Sequence, residues 1–522
     1  MLKFQVFNQG RAATEWTLRN AYLVSADSNQ SPIRAQITFE DGLIWCEKRE
    51  IGTAALCLQH PVDDCGELTL QTCQLPEREE PYLLSMELAR HRIMLLYTKM
   101  EDWMLFDLGS DHVVIRRAEE ARELLIAAVS TQKNDPAEAS ALAERALAIA
   151  VDGTEEMALA HAELLLNRRR ATSALPPNLI GCGVALSQTD DRTRTALATN
   201  FDFLMLPMPW RLMEPEEGGY NWGPIDNWVD WARRNQLPLT AGPLVNFTPT
   251  VLPDWIYIWE QDYDTVRDLL YEHLERVVTR YRDYVTAWNV VSGLHVNHHF
   301  PFNFEQLMDL TRMATMLVRK LHPPGRILVE IRQPFGEYYA TNQRSIPPSM
   351  YADLIVQGGI DFDSLSLQLL MGQAVTGQYT RDLMQISNLL DHFGGFGKSL
   401  HVTIAAPSQP VTQVMIATPE DEQPVDPNCG HWRKPWSPQV QSHWLEALFQ
   451  LIISRPFVES IAWHQLMDHP AIELPLSGLV SEDFQAKNAF RRLVTFRTQL
   501  KQTPKHTGRN EKLADQPIST QE

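Results

Sequence analysis

Two acidic side chains stand where this chain could support acid–base chemistry. Glu330 lies in the run Leu328-Val329-Glu330-Ile331, among β-branched and aliphatic neighbours. Desolvation there raises a carboxyl pKa towards the range of a general acid. The same burial equally suits an ion pair with Arg332 or another arginine, because buried acids are usually paired. Asp468 follows a second apolar run, Ser460–Leu466, and could face the same opening. His295, His298, His299, His401, His464 and His469 gather near these segments in the chain. Histidines with an acid are what metal-assisted hydrolysis uses. No H-x-H or H-E-x-x-H spacing occurs at a strand end, so ordinary loop histidines are expected, with no metal and no cofactor.

Tryptophans are the other feature. Trp210, Trp222, Trp255, Trp259, Trp432, Trp436, Trp444 and Trp463 lie in the same part of the chain. Their faces could stack against the C–H groups of a sugar, although core packing is the ordinary fate of any one Trp. Trp228 and Trp231 sit in a helical pattern and read as packing. Trp432 and Trp436 lie on the Pro-rich stretch PVDPNCGHWRKPW, whose length suits a lid or cleft wall.

The elements that must position these residues are legible as a pattern. Residues 1–78 alternate as strands: AQITFEDGLIWCEKRE turns at Asp41-Gly42, and GELTLQTCQL alternates after Gly66. A small β-rich, sandwich-like module is expected, of a kind that often binds carbohydrate. Residues 79–173 change to a helical period, with Asp135 as cap and Pro136 opening a long helix. Arg168, Arg169 and Arg170 end that helix, where cations suit the dipole. The region reads as a helical spacer.

After the linker SALPPN, strand-like runs begin near residues 179, 201, 237, 286, 326, 363, 400 and 460, with amphipathic helices between them. In YDTVRDLLYEHLERVVTRYRDYV the apolar positions are 266, 269, 270, 274, 277, 278 and 281. Such alternation over residues 174–500 predicts an α/β fold, a (β/α)8 TIM barrel. In that fold, chemistry sits at the C-terminal strand ends. The polar tail over 501–522 is expected to be disordered.

Composition bounds the partners. The chain has 522 residues, with 46 basic and 65 acidic residues and a net charge of −19. That balance argues against nucleic acid and anionic membrane as main partners. It leaves a neutral ligand such as a carbohydrate open. The start, MLKFQVFNQGRAATEW, lacks an apolar signal core, and no apolar run approaches the ~20 residues that span a bilayer. A cytoplasmic location is the expectation, with an extracellular one requiring another export route or an upstream start. The six cysteines lack paired zinc spacing and read as reduced thiols.

Four stretches in order resemble glycoside hydrolase family 10, the xylanase-type barrels. They are FDFLMLPMPWRLMEPEEGGYNWGPIDNWVDWARRNQLPL, VTAWNVVSG, KSLHVTIAAP and ESIAWHQLMDHPAIELPLSGLVSEDFQAKNAF; SLSLQ at 364–368 fits the sixth strand. The resemblance implies O-glycosyl hydrolysis of a β-linked glycan of xylan type, as by an endo-1,4-β-xylanase. It also implies a substrate-contact set of Trp210, Asn246, Ser292, Gln368, His401, Trp463 and Asp468. The family retains configuration, using two carboxyl groups about 5–5.5 Å apart. The position matching its acid/base Glu is Gly293, and the one matching its nucleophile is Ile404. Family residues after the second and third strands fall on Met205, Leu206, Pro209 and Pro243.

Gly has no side chain, and Ile can neither donate nor accept a proton. The double displacement is therefore not available through these two strands. Three readings follow: a glycan-binding pseudo-hydrolase; an active glycosidase with relocated carboxylates, Glu330 and Asp468; or a protein-interaction scaffold.

Overall fold

Eight short runs form parallel strands that pair in sequence order and close on themselves: Ile180–Gly183, Phe203–Leu206, Leu239–Ala241, Ala287–Ser292, Arg326–Ile331, Ser364–Leu370, Ser399–Ala405 and Val458–Trp463. Each overlaps one of the eight stretches the sequence marks out; the fourth strand runs on to Ser292, the seventh begins at Ser399 and the eighth at Val458, one or two residues beyond those stretches. The structure is a computed structural model, and it describes residues 1–8, 10–26, 31–49, 51–105, 109, 111–342, 344–411, 428–470 and 472–501. The expected disordered tail from 502 lies outside the described residues, as do residues 424–427 of the Pro-rich stretch.

Each barrel strand is covered on its outer face by helices, so its outward side chains are apolar. On the fifth strand Ile327, Val329 and Ile331 are fully buried, while Leu328 and Glu330 line the lumen. The helix Tyr263–Tyr281 buries Val266, Leu270, Leu274, Val277, Val278 and Tyr281. Those are six of the seven positions its 3.6-residue period singles out, and the seventh, Leu269, is half-buried.

The lumen itself departs from the usual aliphatic filling. It is lined by Thr240, Asn289, Glu330, Ser366, His401, Thr403 and Ser460 beside Phe203, Met205 and Leu328, around a cavity of only ≈ 30 Å³. That is space for about one water.

Residues 1–83 supply two main sheets. One, in the order Tyr82–Leu83, Leu2–Gln5, Leu43–Lys48, Ala35–Glu40, contains the hairpin at Asp41-Gly42. Both turn residues take positive φ, 50° and 78°, the conformation a two-residue hairpin needs. The other sheet joins Tyr22–Ser25, Ala54–Val62 and Gly66–Gln71. Three helices follow: α1 (Leu84–Asp102), α2 (Val113–Thr131) and α3 (Pro136–Ala171). Asp135 caps α3, accepting from the N–H groups of Ala137 and Glu138 at 3.1 and 3.0 Å. At the other end Arg169 is buried and donates to the carbonyls of Ile453 and Arg455 at 2.7 and 2.6 Å. No described helix is long and apolar enough to cross a membrane.

The N-terminal sheets and α1–α3 rest on the loops that follow barrel strands five, six and seven. His431–Trp432, in the loop after strand seven, pairs with Gly66–Glu67 as an edge strand. Gly66 makes this approach possible: it sits at φ +112°, and a Cβ there would lie 2.1 Å from the His431 carbonyl oxygen. The indole of Trp432 donates to Glu155 of α3 at 2.8 Å, and Arg433 pairs with Glu155 at 2.5 Å. The described part of the expected lid is thus fastened to the N-terminal sheet. The buried pair Arg92–Asp382 ties α1 to the loop after strand six, and Arg381, paired with Glu337 of the neighbouring barrel loop, donates to Tyr22 Oη of the N-terminal sheet at 2.8 Å.

Candidate functional site

Glu330 is the penultimate residue of the fifth strand, 4% exposed, and in register with Ser292 on one side and Ser366 on the other. Ser292 Oγ donates to Glu330 Oε1 at 2.6 Å. Asn289 Nδ2 and Ser366 Oγ donate to Oε2 at 3.1 and 3.4 Å. Behind Ser292, Asn246 Nδ2 donates to the serine oxygen at 3.3 Å. Asn246 and Ser292, both expected to touch substrate, are brought together as a relay onto the buried carboxyl.

Burial raises the Glu330 pKa, opposed by the Ser292 hydrogen bond and the Arg332 charge and reinforced by Glu473. Among the described residues Glu330 has no ion-pair partner. The pairing with Arg332 that burial suggests is replaced by neutral donors.

Arg332 is turned to the mouth instead. Its Nε donates to Gln368 Oε1 at 2.9 Å, and its Nη2 forms an ion pair with Glu473. Its carbonyl accepts from His295 Nε2 at 3.0 Å. The aliphatic stem crosses the end of the fourth strand. Gly293 there has φ +67°, and a Cβ would stand 2.9 Å from Arg332 Cδ and 3.4 Å from Cγ. The space a side chain at 293 would enter is filled by that stem. Gln368, expected to contact substrate, is held by the arginine. Glu473 gave no signal in the sequence. It lies in the loop after the eighth strand and meets Arg332 across 141 positions.

Ile404 is fully buried, paired in register with Leu369 and Trp463. Trp463 is also fully buried, and its indole N–H donates to the Ser477 carbonyl at 2.9 Å. Trp210 is 1% exposed. One of its faces stacks on His273 at 4.3 Å, and Trp255 meets it edge-on at 5.7 Å. Its indole donates to Glu214 at 2.7 Å. Burial pushes Glu214 up, but hydrogen bonds from His273, Trp210, Tyr220 and the Gly218 N–H outweigh it and bring the pKa to about 2.

Asp468 accepts from Lys487 at 2.5 Å and from the Gly478 N–H at 2.7 Å, which fastens the closing loop. Its partners and those of Glu330 are separate sets. His401 lies at the far end: Ser460 and Glu459 hold it, and Glu459 also pairs at 2.5 Å with Arg326, the first residue of strand five. His464 faces Glu473 at 3.9 Å, and His469 bonds Gln465. Among the described residues no group of three or more His, Cys, Asp or Glu is arranged to hold a metal.

Residues 174–300 match the family model "Glycosyl hydrolase family 10". That segment includes Gly293 and ends before Ile404. Endo-1,4-beta-xylanase 1 of Gibberella zeae is 29% identical over 115 residues, 21% of this chain and 32% of that protein. Beta-1,4-xylanase of Dictyoglomus thermophilum is 35% identical over 85 residues, 16% of this chain and 23% of that protein. The chain therefore spans about a quarter to a third of the length of these curated relatives. Native xylanase 10B from Thermotoga maritima aligns over 64% of this chain and 98% of its own, with a TM-score of 0.46 and 13% identity. The unit from residue 174 onward is a closed (β/α)8 barrel whose first half resembles glycosyl hydrolase family 10.

Proposed function

We propose that this chain is a carbohydrate-recognising relative of the family-10 xylanases, directed at β-1,4-linked xylose-type oligosaccharides, that does not hydrolyse them by the family's double displacement. The observation that carries this reading is the stem of Arg332 against Gly293. Acid catalysis needs a proton donor at the leaving oxygen. The strand end that would supply it offers a left-handed glycine packed against the aliphatic stem of Arg332, with no carboxyl. Opposite, Ile404 is hydrocarbon packed between neighbours and cannot stabilise an oxocarbenium-like centre. The carbohydrate class rests on the sequence likeness over residues 174–300.

Relocated acids are less well supported. Asp468 is neutralised by Lys487, and Glu330 lies below the mouth in a cavity too small for a sugar ring.

The test pairs binding with covalent trapping. Xylotriose titrated into the full chain by calorimetry should bind. A 2-deoxy-2-fluoro-xyloside with a good leaving group should leave the intact mass unchanged. A glycosyl adduct on any carboxylate, or no binding of xylotriose, would overturn the proposal.

A further inference from the structure

A cavity of about 320 Å³ lies between the N-terminal sheets, α1 and the barrel. Its size falls at the lower end of small-molecule sites, roughly 300–1,000 Å³. None of Ser292, Glu330, Arg332 or Glu473 lines it. Val24 and Pro32 of the N-terminal sheet, Leu95 of α1, and Pro334, Pro347 and Pro348 beyond strand five give it apolar walls.

Its polar side is built around Arg381, which is 3% exposed. One arm of the guanidinium pairs with Glu337 and donates to Tyr22 Oη at 2.8 Å, and the group stacks over Phe335 at 4.4 Å. Its Nε has no partner among the described residues, and neither do the buried Gln385 Oε1 and Asn388 Oδ1 in the same lining. Buried polar atoms are rarely left unpaired, so three in one cavity call for an explanation. The residues that carry this donor and these two acceptors line the cavity together with the prolines.

Charge narrows the ligand. Glu337 balances Arg381. Burial pushes His91 down to about 4 and lowers His392 as well, so both rings are neutral at pH 7. The lining then carries no net charge, and desolvating an ion within it would be costly.

We infer that this cavity binds a neutral, polyhydroxylated ring compound of mono- or disaccharide size, clasped between the N-terminal sheet and the barrel. Rotation of the half-buried Gln385 and Asn388 amides brings their unpaired oxygens to ligand hydroxyls, and a small shift of the Arg381 stem brings Nε to a ligand oxygen. The C–H face lies on the prolines. The inference is independent of the reading of the barrel mouth.

The full chain is titrated by calorimetry with xylose, glucose, xylobiose and cellobiose, with glucuronate and glucosamine as charged counterparts. Hydrogen exchange is followed with and without each sugar. At least one neutral sugar should bind, its charged counterpart at least tenfold more weakly, with protection at 22–24 and 381–392. Asn388→Leu and the cavity-filling Leu389→Trp should each weaken binding at least tenfold. Should either variant not fold, the exchange pattern of the unmodified chain decides alone. Absence of binding by all four sugars, or equal binding of the charged counterparts, would overturn the inference. So would affinity kept in both variants but lost in Arg332→Gln, which would assign the sugar to the mouth.

Discussion

Gly293→Ala is the most informative single change, because its cost has two separable parts. At φ +67° an L side chain costs about 1–2 kcal/mol relative to glycine. The added Cβ would also stand 2.9 Å from Arg332 Cδ, so the stem must move. Moving it weakens the 2.9 Å hydrogen bond to Gln368 and the ion pair with Glu473. A charged hydrogen bond is worth about 1.5–3 kcal/mol; with Glu473 34% exposed, screening brings the expected loss nearer to about 1 kcal/mol. The whole substitution should therefore cost about 2–3 kcal/mol. With Arg332→Ala already present, only the backbone part remains, and the coupling between the sites should be about 1 kcal/mol. Denaturant unfolding of the four proteins measures both quantities, with equal m-values required for the comparison. A cost under about 0.5 kcal/mol would refute the backbone argument. An identical cost in both backgrounds would show that the arginine stem does not occupy the space at 293.

Other consequences follow from the same geometry. Because burial raises the folded-state pKa of Glu330, the native protein holds that proton more tightly than the unfolded chain does. This stabilisation is complete below the unfolded value, about 4.3, and is lost as pH rises through the folded value. Glu330→Gln should flatten that fall and match or exceed the parent Tm at pH 7; parallel Tm–pH curves would contradict it. Glu337→Leu leaves Arg381 buried and unpaired and should cost about 3–5 kcal/mol, read as a lowered unfolding midpoint. Five of the six cysteines are buried, and burial pushes Cys46, Cys57, Cys65 and Cys429 up to about 12. A thiol reagent should therefore label the half-buried Cys73 first in the native protein and the rest only in denaturant.

The barrel was legible because its signals are local. The apolar positions of Tyr263–Tyr281 repeat with the helical period, and the Asp41-Gly42 turn needs two positive φ values that those residues tolerate. Asn246, Ser292 and Glu330 could be proposed because each sits at or beyond a strand end, and their convergence follows from strand register.

What the sequence does not carry is the path of the loops. Trp463 resembles a stacking platform until the segment at Ser477 folds over its indole. Trp210 is likewise covered by His273 and Trp255. Glu473 becomes a mouth residue only through a contact 141 positions away. His401 shares a strand with Ile404, yet its ring reaches Glu459 at the opposite end, and three residues along a strand decide that difference. Nor does the alternating pattern of residues 1–78 say which barrel loops it will hold.

The account stands or falls on whether the purified full chain cleaves a β-1,4-xylosidic bond. Xylohexaose incubated with a stoichiometric amount of protein and followed by mass spectrometry answers this without dependence on turnover rate. The account expects the hexasaccharide to remain intact. Shorter xylo-oligosaccharides that form with the parent chain and vanish in Glu330→Gln or Glu473→Gln would contradict it.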